Sequence, residues 1–413
     1  MAGQTIAILG GGVGGIVCAN ELRRLISDEH RVVLVEKDRD HAFAPSFLWL
    51  MTGARKPEEV TRPLTRLVRP GVEVMHAEAQ EIDLDAGRIE TTARDIIYDY
   101  LVVALGAELA PGEVQGLSES AYDFYTFDGA IRLCDALQGF LTGTVAVVVS
   151  ALPYKCPAAP YEGAMLIADC LRRRGLQGKT EVQVFTPEPQ PMPVAGPAMG
   201  HTVAQALLTR GITLHPLHRL TSVDPEAKAL SFEARDRVQY DLLVAVPPHR
   251  GPRLVREAGL ANEAGWVPVD AATLVTERDN VYALGDVTTI ELPGRWQREI
   301  PLLLPKAGVF AHAQALTVAR RIAARLRGGQ GADTFSGGGY CALEAGAGEA
   351  GLAYGDFYAE PAPRVEMREV GSAWHLGKVL YEQWWLAPAG PRRATLSAAL
   401  AIGSRALRIP VTL

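Results

Sequence analysis

The sequence predicts an α/β protein made of two Rossmann-like domains followed by a C-terminal amphipathic region. Short apolar strands alternate with helical patterns in two series, one starting at residue 4 and the other at residue 144. A glycine-rich loop follows the first strand of the first series. Apolar and aromatic residues recur among arginines at helical spacing near the end of the chain.

The composition is that of an ordinary globular protein, with 413 residues, 48% apolar and 21% charged. A net charge of −6 provides no basic field for nucleic acid, so we expect none as a partner. The chain enters an apolar strand by residue 5, and we therefore expect no signal peptide. No uncharged apolar run approaches the roughly 18 residues of a spanning helix, so none is expected.

The five cysteines include no CxxC pair, so we predict no zinc site and no other metal site. A chain without a leader starts in the cytosol, where structural disulfides are rare, and a disulfide here would therefore be catalytic. Cys18, Cys134 and Cys170 lie in helical apolar patterns and are predicted to be core residues.

A dinucleotide-binding motif opens the chain. An apolar strand (4–10) leads into Gly10-Gly11-Gly12-Val13-Gly14-Gly15, which fits GxGxxG, and a helical pattern (13–26) follows. A second strand (31–35) ends at Glu36. Strand, glycines, helix, strand and acid in this order are typical of a dinucleotide site.

Each residue of the motif has a physical role. Gly10 allows the tight turn, Gly12 lets the backbone approach a pyrophosphate, and Gly15 lets the helix pack on the strand. The N-terminus of the helix attracts the phosphate charge. The Glu36 carboxylate, roughly 20 residues further on, can accept hydrogen bonds from a ribose.

Two later segments indicate which dinucleotide binds. A strand over 98–104 ends in a small-residue turn at Ala104 and Gly106, and a strand over 280–284 ends in Gly285-Asp286. They resemble the second and third FAD signatures of the two-domain flavoprotein disulfide reductases. The resemblance implies a glutathione-reductase-like fold with FAD as cofactor, and it places Asp286 on the ribityl chain.

The second series lacks a glycine loop. After the strand over 144–149, the loop over 150–163 has no glycine pair and carries Pro153, Pro157 and Pro160. Prolines fix φ and remove amide donors where a pyrophosphate would need them, so a nicotinamide nucleotide is not expected there. The loop carries Cys156 instead.

The cysteine loop, 153–162, resembles that of sulfide:quinone oxidoreductases and of the flavoprotein subunits of flavocytochrome c sulfide dehydrogenases. Segments 43–53, 79–83, 200–201, 305–308, 339–341 and 375–382 resemble further motifs of the same family. The resemblance spans roughly residues 4–386. The family's third cysteine would lie near 125–127, where this sequence has none.

The resemblance implies an enzyme that oxidises sulfide to sulfane sulfur or polysulfide and passes electrons to membrane quinone. It implies a redox disulfide between Cys156, the flavin-facing sulfur, and Cys341, the persulfide carrier. Glu162 is a candidate for moving protons, or else complements the charge of a helix N-terminus. His201 is a candidate proton relay, or else a neighbour of a helix N-cap.

The resemblance also implies a cofactor site beyond the glycine loop. Lys306 precedes a helix (307–326) whose positive end would face the flavin, although a solvated lysine is the alternative. The residues predicted to bind FAD are Gly10, Gly12, Gly14, Gly15, Glu36, Lys37, Pro45, Ser46, Ala79, Ala104, Gly106, Gly285, Asp286, Lys306, Ala307 and Lys378.

The C-terminal segment is predicted to lie on a bilayer surface. An aromatic-rich apolar cluster runs from Trp374 to Leu386. Arg392 and Arg393 then precede apolar residues from Leu396 to Ile409, among which Arg405 and Arg408 are interspersed. Such a tail would collect quinone from lipid and place the protein peripherally on the cytoplasmic membrane. The alternative is a helix that packs on the core or forms a homo-oligomer.

Three alternative functions stay open. A flavocytochrome c flavoprotein subunit is normally exported, a type II NADH:quinone dehydrogenase needs the missing glycine motif, and a flavin-binding module without turnover would not need both cysteines. The expected domains are an FAD-binding domain over 1–107 and 265–330, a second Rossmann-like domain over 108–264, and a C-terminal region over 331–413.

Overall fold

The computed structural model describes residues 3–388 and 390–407. Arg408 and Ile409, which the sequence pattern assigns to the C-terminal amphipathic helix, lie outside the described residues.

The first part of the chain forms a parallel sheet with short antiparallel ribbons beside it. Its strands are β1 (Thr5–Leu9), β2 (Arg31–Glu36), β3 (Asp40–Ala42), β4 (Thr61–Pro63), β5 (Val72–His76), β6 (Ala79–Asp83), β7 (Arg88–Thr91), β8 (Ile96–Ile97), β9 (Tyr100–Val103) and β10 (Glu108–Leu109). Its helices are α1 (Val13–Leu25), α2 (Phe47–Leu50), α3 (Pro57–Val60) and α4 (Leu64–Leu67).

A second alternation of strands and helices follows. Its strands are β11 (Gly143–Val149), β12 (Thr180–Phe185), β13 (Ile212–His215), β14 (Leu220–Asp224), β15 (Ala229–Phe232), β16 (Val238–Gln239), β17 (Leu242–Val246) and β18 (His249–Arg250). Its helices are α5 (Leu117–Ser120), α6 (Phe127–Gly139), α7 (Ala159–Arg173), α8 (Pro197–Leu208) and α9 (Arg253–Glu257).

The chain then returns to the first sheet before it forms the C-terminal region. The remaining strands are β19 (Val267–Pro268), β20 (Val281–Ala283), β21 (Thr288–Thr289), β22 (Gly338–Gly346), β23 (Glu349–Asp356) and β24 (Arg364–Gly371). The remaining helices are α10 (Gly308–Leu326), α11 (Ser372–Trp385) and α12 (Pro391–Leu407).

Two parallel sheets define the architecture. The first has the strand order β20-β9-β1-β2-β5 and the second has the order β13-β12-β11-β17, with every pairing parallel. Both sheets are covered by helices, which is why their central strands are almost wholly apolar. The predicted α/β class with two Rossmann-like units is confirmed. Loops at the carboxyl ends of such strands form the ligand-binding edge.

The C-terminal region packs on both sheets. The antiparallel sheet β22-β23-β24 contributes Leu343 and Ala353 to the apolar core around the second sheet. Trp384 and Trp385, near the end of α11, belong to the core around the first sheet. The expectation that these two tryptophans lie on a bilayer is therefore wrong, because their rings are buried in protein.

The last helix differs from the rest of the fold. No described residue of α12 is buried, and Ile402 and Leu407 are exposed. Across residues 3–388 and 390–407, no helix combines the length and the apolar character that crossing a membrane requires.

Candidate functional site

The cysteine loop holds Cys156 in an unusual backbone conformation. Its φ is +55°, a left-handed value that a non-glycine residue seldom adopts, and its amide donates to the Lys306 carbonyl at 2.6 Å. The Cys156 carbonyl accepts a hydrogen bond from the amide of Ala159, the first residue of α7. The loop is thus fixed between the start of α7 and the segment that precedes α10.

The second cysteine reaches the site on a strand. Cys341 lies in β22, which packs against α7, and it pairs with Ala353 of β23. The amide of Glu344, three residues later in the same strand, donates to Glu162 Oε1 at 2.9 Å. Cys156 and Cys341 are both half-buried free thiols, and a charge on Cys156 would raise the pKa of Cys341. The two predicted redox cysteines therefore both lie near Glu162, close enough for a charge on one to affect the other.

A buried charge cluster lies beside the two thiols. Lys378 Nζ of α11 donates to Glu162 Oε1 at 2.8 Å and lies 3.9 Å from Glu344 Oε1. His375, one turn earlier in α11, contacts Glu344 Oε2 through Nδ1 at 2.9 Å. Glu162 and Glu344 are only 2% and 1% exposed. Two acids and one lysine from three separate elements thus meet in a largely dry environment, which makes their mutual charges strong.

Burial and the neighbouring acid both disfavour the thiolate form. Burial, and then the Glu162 charge, raise the pKa of Cys156 to about 12, while the Lys378 charge lowers it. The same causes raise the pKa of Cys341 well above its ordinary value. For Lys378, burial lowers the pKa, but Glu162 and Glu344 outweigh burial and the net pKa is raised. The reduced thiols are therefore protonated at neutral pH, and the lysine stays charged.

The glycine loop forms a cradle at the first sheet. A Cβ at Gly15 would lie 1.9 Å from the Gly10 carbonyl oxygen, whereas a Cβ at Gly12 would meet nothing within 4 Å. Gly15 is thus required for packing, and Gly12 faces open space, as a pyrophosphate-facing glycine should. Glu36 Oε2 accepts from the Gly11 amide at 2.6 Å, and this holds the acid beside the loop.

The turn after β20 carries an unpartnered acid. Asp286 Oδ1 is buried without a hydrogen-bond partner, and burial raises the pKa of this carboxyl against the opposing charges of Lys155 and Lys306. A buried oxygen without a partner indicates a site for a ligand donor such as a hydroxyl. The open face at Gly12 and the free oxygen of Asp286 both fit a flavin dinucleotide.

Lys306 is buried rather than solvated. Its ammonium donates to the carbonyls of Asp286 at 2.7 Å and Thr288 at 2.9 Å, and it lies 3.4 Å from the centre of the Trp266 ring. Burial lowers its pKa to about 8, although Asp286 opposes this. Lys306 therefore holds the turn that presents Asp286. Ala307 is the N-cap residue of α10, which packs on α1 and on the Gly285–Val287 turn.

Several predicted residues have different surroundings from those expected. The Lys378 ammonium binds Glu162, and its contact with the cofactor stays a prediction. The Ser46 hydroxyl donates to Glu382 Oε1 of α11 at 2.6 Å. His201 is exposed on α8, and no described hydrogen bond involves it, so its relay role stays a prediction. Cofactor binding by Lys37, Pro45, Ala79, Ala104, Gly106 and Gly285 also stays a prediction.

Several residues of the site were not predicted from the sequence. Glu344 stands alone as an acid in the apolar part of β22, a signal that could have been used. The Nδ1 atom of His41 lies 3.0 Å from the Gly11 carbonyl, and its Nε2 accepts from Trp385 Nε1 at 2.9 Å. Tyr125 Oη and His249 Nε2 are buried without a partner, and their rings pack at 5.3 Å. No sequence motif marks His41, Tyr125 or His249.

Known proteins resemble this chain over most of its length. It is 28% identical to the sulfide-quinone reductase of Aquifex aeolicus over 400 residues, which cover 92% of this chain and 90% of that protein. It is 27% identical over 303 residues to the mitochondrial sulfide:quinone oxidoreductase of Mus musculus, covering 69% of this chain and 66% of the mouse protein. The crystal structure of the Aquifex aeolicus enzyme superposes with a TM-score of 0.82 at 26% identity, covering 94% and 93% of the two chains.

The family model supports the same relationship. The model for pyridine nucleotide-disulphide oxidoreductases matches residues 4–307, which include both parallel sheets, the glycine loop and the cysteine loop. The chain belongs to the pyridine nucleotide-disulphide oxidoreductase family.

Proposed function

We propose that this chain is an FAD-dependent sulfide:quinone oxidoreductase that works through a disulfide between Cys156 and Cys341. The observation that carries the proposal is that both thiols lie beside the same buried cluster of one lysine and two acids. The amide of Cys156 also donates to the carbonyl of Lys306, the residue that holds the Asp286 turn. The similarity to the Aquifex aeolicus enzyme, over 92% of this chain, supports it.

A flavin is the cofactor expected of this family, and we assign FAD. The Gly12 face accommodates a pyrophosphate, Glu36 lies where an adenosine ribose would bind, and Asp286 Oδ1 offers an acceptor to a ribityl hydroxyl. FAD held by these residues would supply a two-electron acceptor for the thiols and a two-electron donor for a quinone.

The oxidation is a sequence of thiol–disulfide exchanges. Hydrosulfide attacks the Cys341 sulfur of the disulfide, so a new S–S bond forms there and Cys156 leaves as a thiolate. A second hydrosulfide takes the outer sulfur of the Cys341 persulfide and leaves a thiol. The thiolate and thiol lose two electrons and one proton as the disulfide re-forms. Two HS⁻ thus become HSS⁻, one proton and two electrons.

The charge cluster controls this exchange. Burial and Glu162 make the Cys156 thiolate unfavourable, as its pKa of about 12 shows, and therefore a strong electron donor. Lys378 offsets part of this cost with a positive charge, which lets the thiolate form as a leaving group. Glu162, which lies in the first turn of α7, is the group placed to hold the proton released from the thiol.

The C-terminal helices suggest where the quinone enters. Leu376 and Leu380 of α11, and Ile402 and Leu407 of α12, are exposed apolar side chains, and Arg405 lies exposed among them. An apolar surface with interspersed arginines suits the headgroup region of a bilayer. We propose that this surface places the protein peripherally on the cytoplasmic membrane and admits a lipid quinone.

Anaerobic half-reactions test the function. Sulfide should bleach the flavin absorbance, decylubiquinone should restore it, and NADH should do neither. Replacing either redox cysteine, Cys156→Ser or Cys341→Ser, should abolish the sulfide step while FAD stays bound; Cys134→Ser, a half-buried cysteine of α6, is the matched control. Rapid bleaching by NADH would overturn the proposal in favour of an NADH:quinone oxidoreductase.

A further inference from the structure

We propose that Glu188 is a positioning residue for the redox cysteine, which it serves by anchoring both sides of the loop that carries Cys156. The proposal deepens the proposed function, on which it rests for the reaction that the loop performs. Glu188 follows β12 and lies in neither the charge cluster nor the cofactor cradle.

Glu188 receives an unusual set of hydrogen bonds. It is 5% exposed, and its Oε2 accepts from Tyr154 Oη at 2.9 Å, from Tyr161 Oη at 2.8 Å and from Thr186 Oγ1 at 3.2 Å. Tyr154 and Tyr161 are themselves buried. Three hydroxyl donors that converge on one buried oxygen form a satisfied polar network, which fixes the side chains that compose it.

The two halves of the molecule explain the position of this acid. In the first half, Glu36 ends β2, and its Oε2 accepts from the amide of Gly11 in the loop after β1. In the second half, Glu188 follows β12, the neighbour of β11. Its Oε2 accepts from the phenols of Tyr154, in the loop after β11, and of Tyr161, in the first turn of α7. Glu188 therefore binds the cysteine loop from the position at which the acid of a dinucleotide-binding domain would bind a ribose.

The anchor lies where the loop backbone needs support. Tyr154 precedes Cys156 by two residues and Tyr161 follows it by five, so both flanks of the cysteine are attached to Glu188. The φ of Cys156, +55°, is a conformation that an L-residue holds only when its surroundings enforce it. Without the anchor, the loop relaxes and the thiol loses its alignment for exchange.

Phenol-to-phenyl substitutions test this anchor. In the Tyr154→Phe/Tyr161→Phe double variant, sulfide-driven flavin reduction should slow about tenfold or more, because a small misplacement of a reacting group has effects of this size. FAD content and the quinone-driven reoxidation of dithionite-reduced enzyme should stay at the wild-type level. Tyr240→Phe, at another buried tyrosine of the same half, is the matched control and should change none of these.

The acid itself gives a graded series. Glu188→Gln keeps an acceptor oxygen for the two phenols, so it should retain more of the sulfide half-reaction than Glu188→Leu, which keeps none. The alkylation rate of Cys156 by iodoacetamide, followed by mass spectrometry, should change in the same order. Wild-type alkylation and wild-type sulfide reduction in the double variant and in Glu188→Leu would overturn the proposal.

Failure of the proposed function gives a different result. If sulfide does not reduce the wild-type flavin, the sulfide:quinone assignment fails, whereas the alkylation rate of Cys156 still reports whether Glu188 positions the loop. A changed rate in Glu188→Leu then supports the anchor, and an unchanged rate refutes it.

Discussion

Lys378→Met removes the positive charge from the buried cluster and should destabilise the fold by about 3 kcal/mol. The ammonium lies 2.8 Å from Glu162 and 3.9 Å from Glu344, and both acids are almost fully buried. Removing one partner of a buried ion pair costs about 3–5 kcal/mol, because it leaves an uncompensated charge. We take the lower end because Glu162 keeps the Glu344 amide and Glu344 keeps His375. Methionine has a similar side-chain length, so cavity formation adds little.

Urea unfolding in excess FAD measures this loss, with Lys179→Met, an exposed lysine, as the control that should change stability by less than about 0.5 kcal/mol. The pKa of Lys378 is raised because Glu162 and Glu344 outweigh the lowering effect of burial. Because the pKa of Lys378 is higher in the folded protein than in the unfolded chain, the charged lysine stabilises the fold. This stabilisation is fully present below the unfolded pKa of about 10.4 and is lost only as the pH rises above it. The loss should therefore be the same at pH 7 and pH 9. A loss below about 1 kcal/mol would refute the view that these charges compensate one another.

Three further predictions follow from the structure. Burial raises the pKa of both redox thiols most, and the Glu162 charge is the next largest cause. Glu162→Gln removes this charge, so the pH dependence of thiol alkylation should shift to lower pH. An unchanged pH profile would contradict this. Gly12→Val should fold normally but lose FAD, because the valine side chain enters open space on the cofactor face. Gly139→Ala, which also adds its side chain to open space, should keep FAD. Full FAD content in both variants would exclude a cofactor site at Gly12. Burial lowers the pKa of His41 and of His312 to about 4 in the folded protein, whereas a histidine of the unfolded chain has a pKa of about 6.5. The unfolded chain therefore binds protons first as the pH falls, and the fold loses stability between about pH 6.5 and pH 4. Each histidine should account for about 2 kcal/mol at pH 5, and equal urea stability at pH 7 and pH 5 would contradict the prediction.

The fold was predictable because its central strands are short apolar runs and its loops carry strong signals. The pattern predicts strands at 31–35 and 144–149, and the structure has Arg31–Glu36 and Gly143–Val149. Helix α7 begins at Ala159, inside the segment 150–163 that the sequence predicts as a loop, because Pro160 is tolerated in a first helical turn. Helix boundaries of this kind depend on local geometry that composition does not reveal.

The site was predictable only in part, since much of it comes from distant elements. Cys156, Cys341 and Glu162 were predicted from the family resemblance, and the structure brings them together. Glu344 and Glu188 were missed because their partners lie far away in the chain. Glu188 did leave a signal, since it follows the second strand of its half as Glu36 ends that of the first.

Helix α11 shows why a pattern of hydrophobicity can mislead at such a site. His375, Lys378 and Glu382 recur at intervals of three and four residues, so they share one face, and all three contact buried groups. Leu376 and Leu380, one turn apart, lie exposed on another face. The helix therefore turns charges inward and leucines outward, the reverse of an ordinary surface helix. The buried carboxylates of Glu162 and Glu344 stabilise the inward lysine and histidine. The Arg55 guanidinium and the Ser46 hydroxyl stabilise Glu382. Leu376 and Leu380 are 59% and 40% exposed, and a bilayer surface would give them an apolar environment. If the proposed membrane surface is correct, α11 would contact the charge cluster with one face and the bilayer with the other.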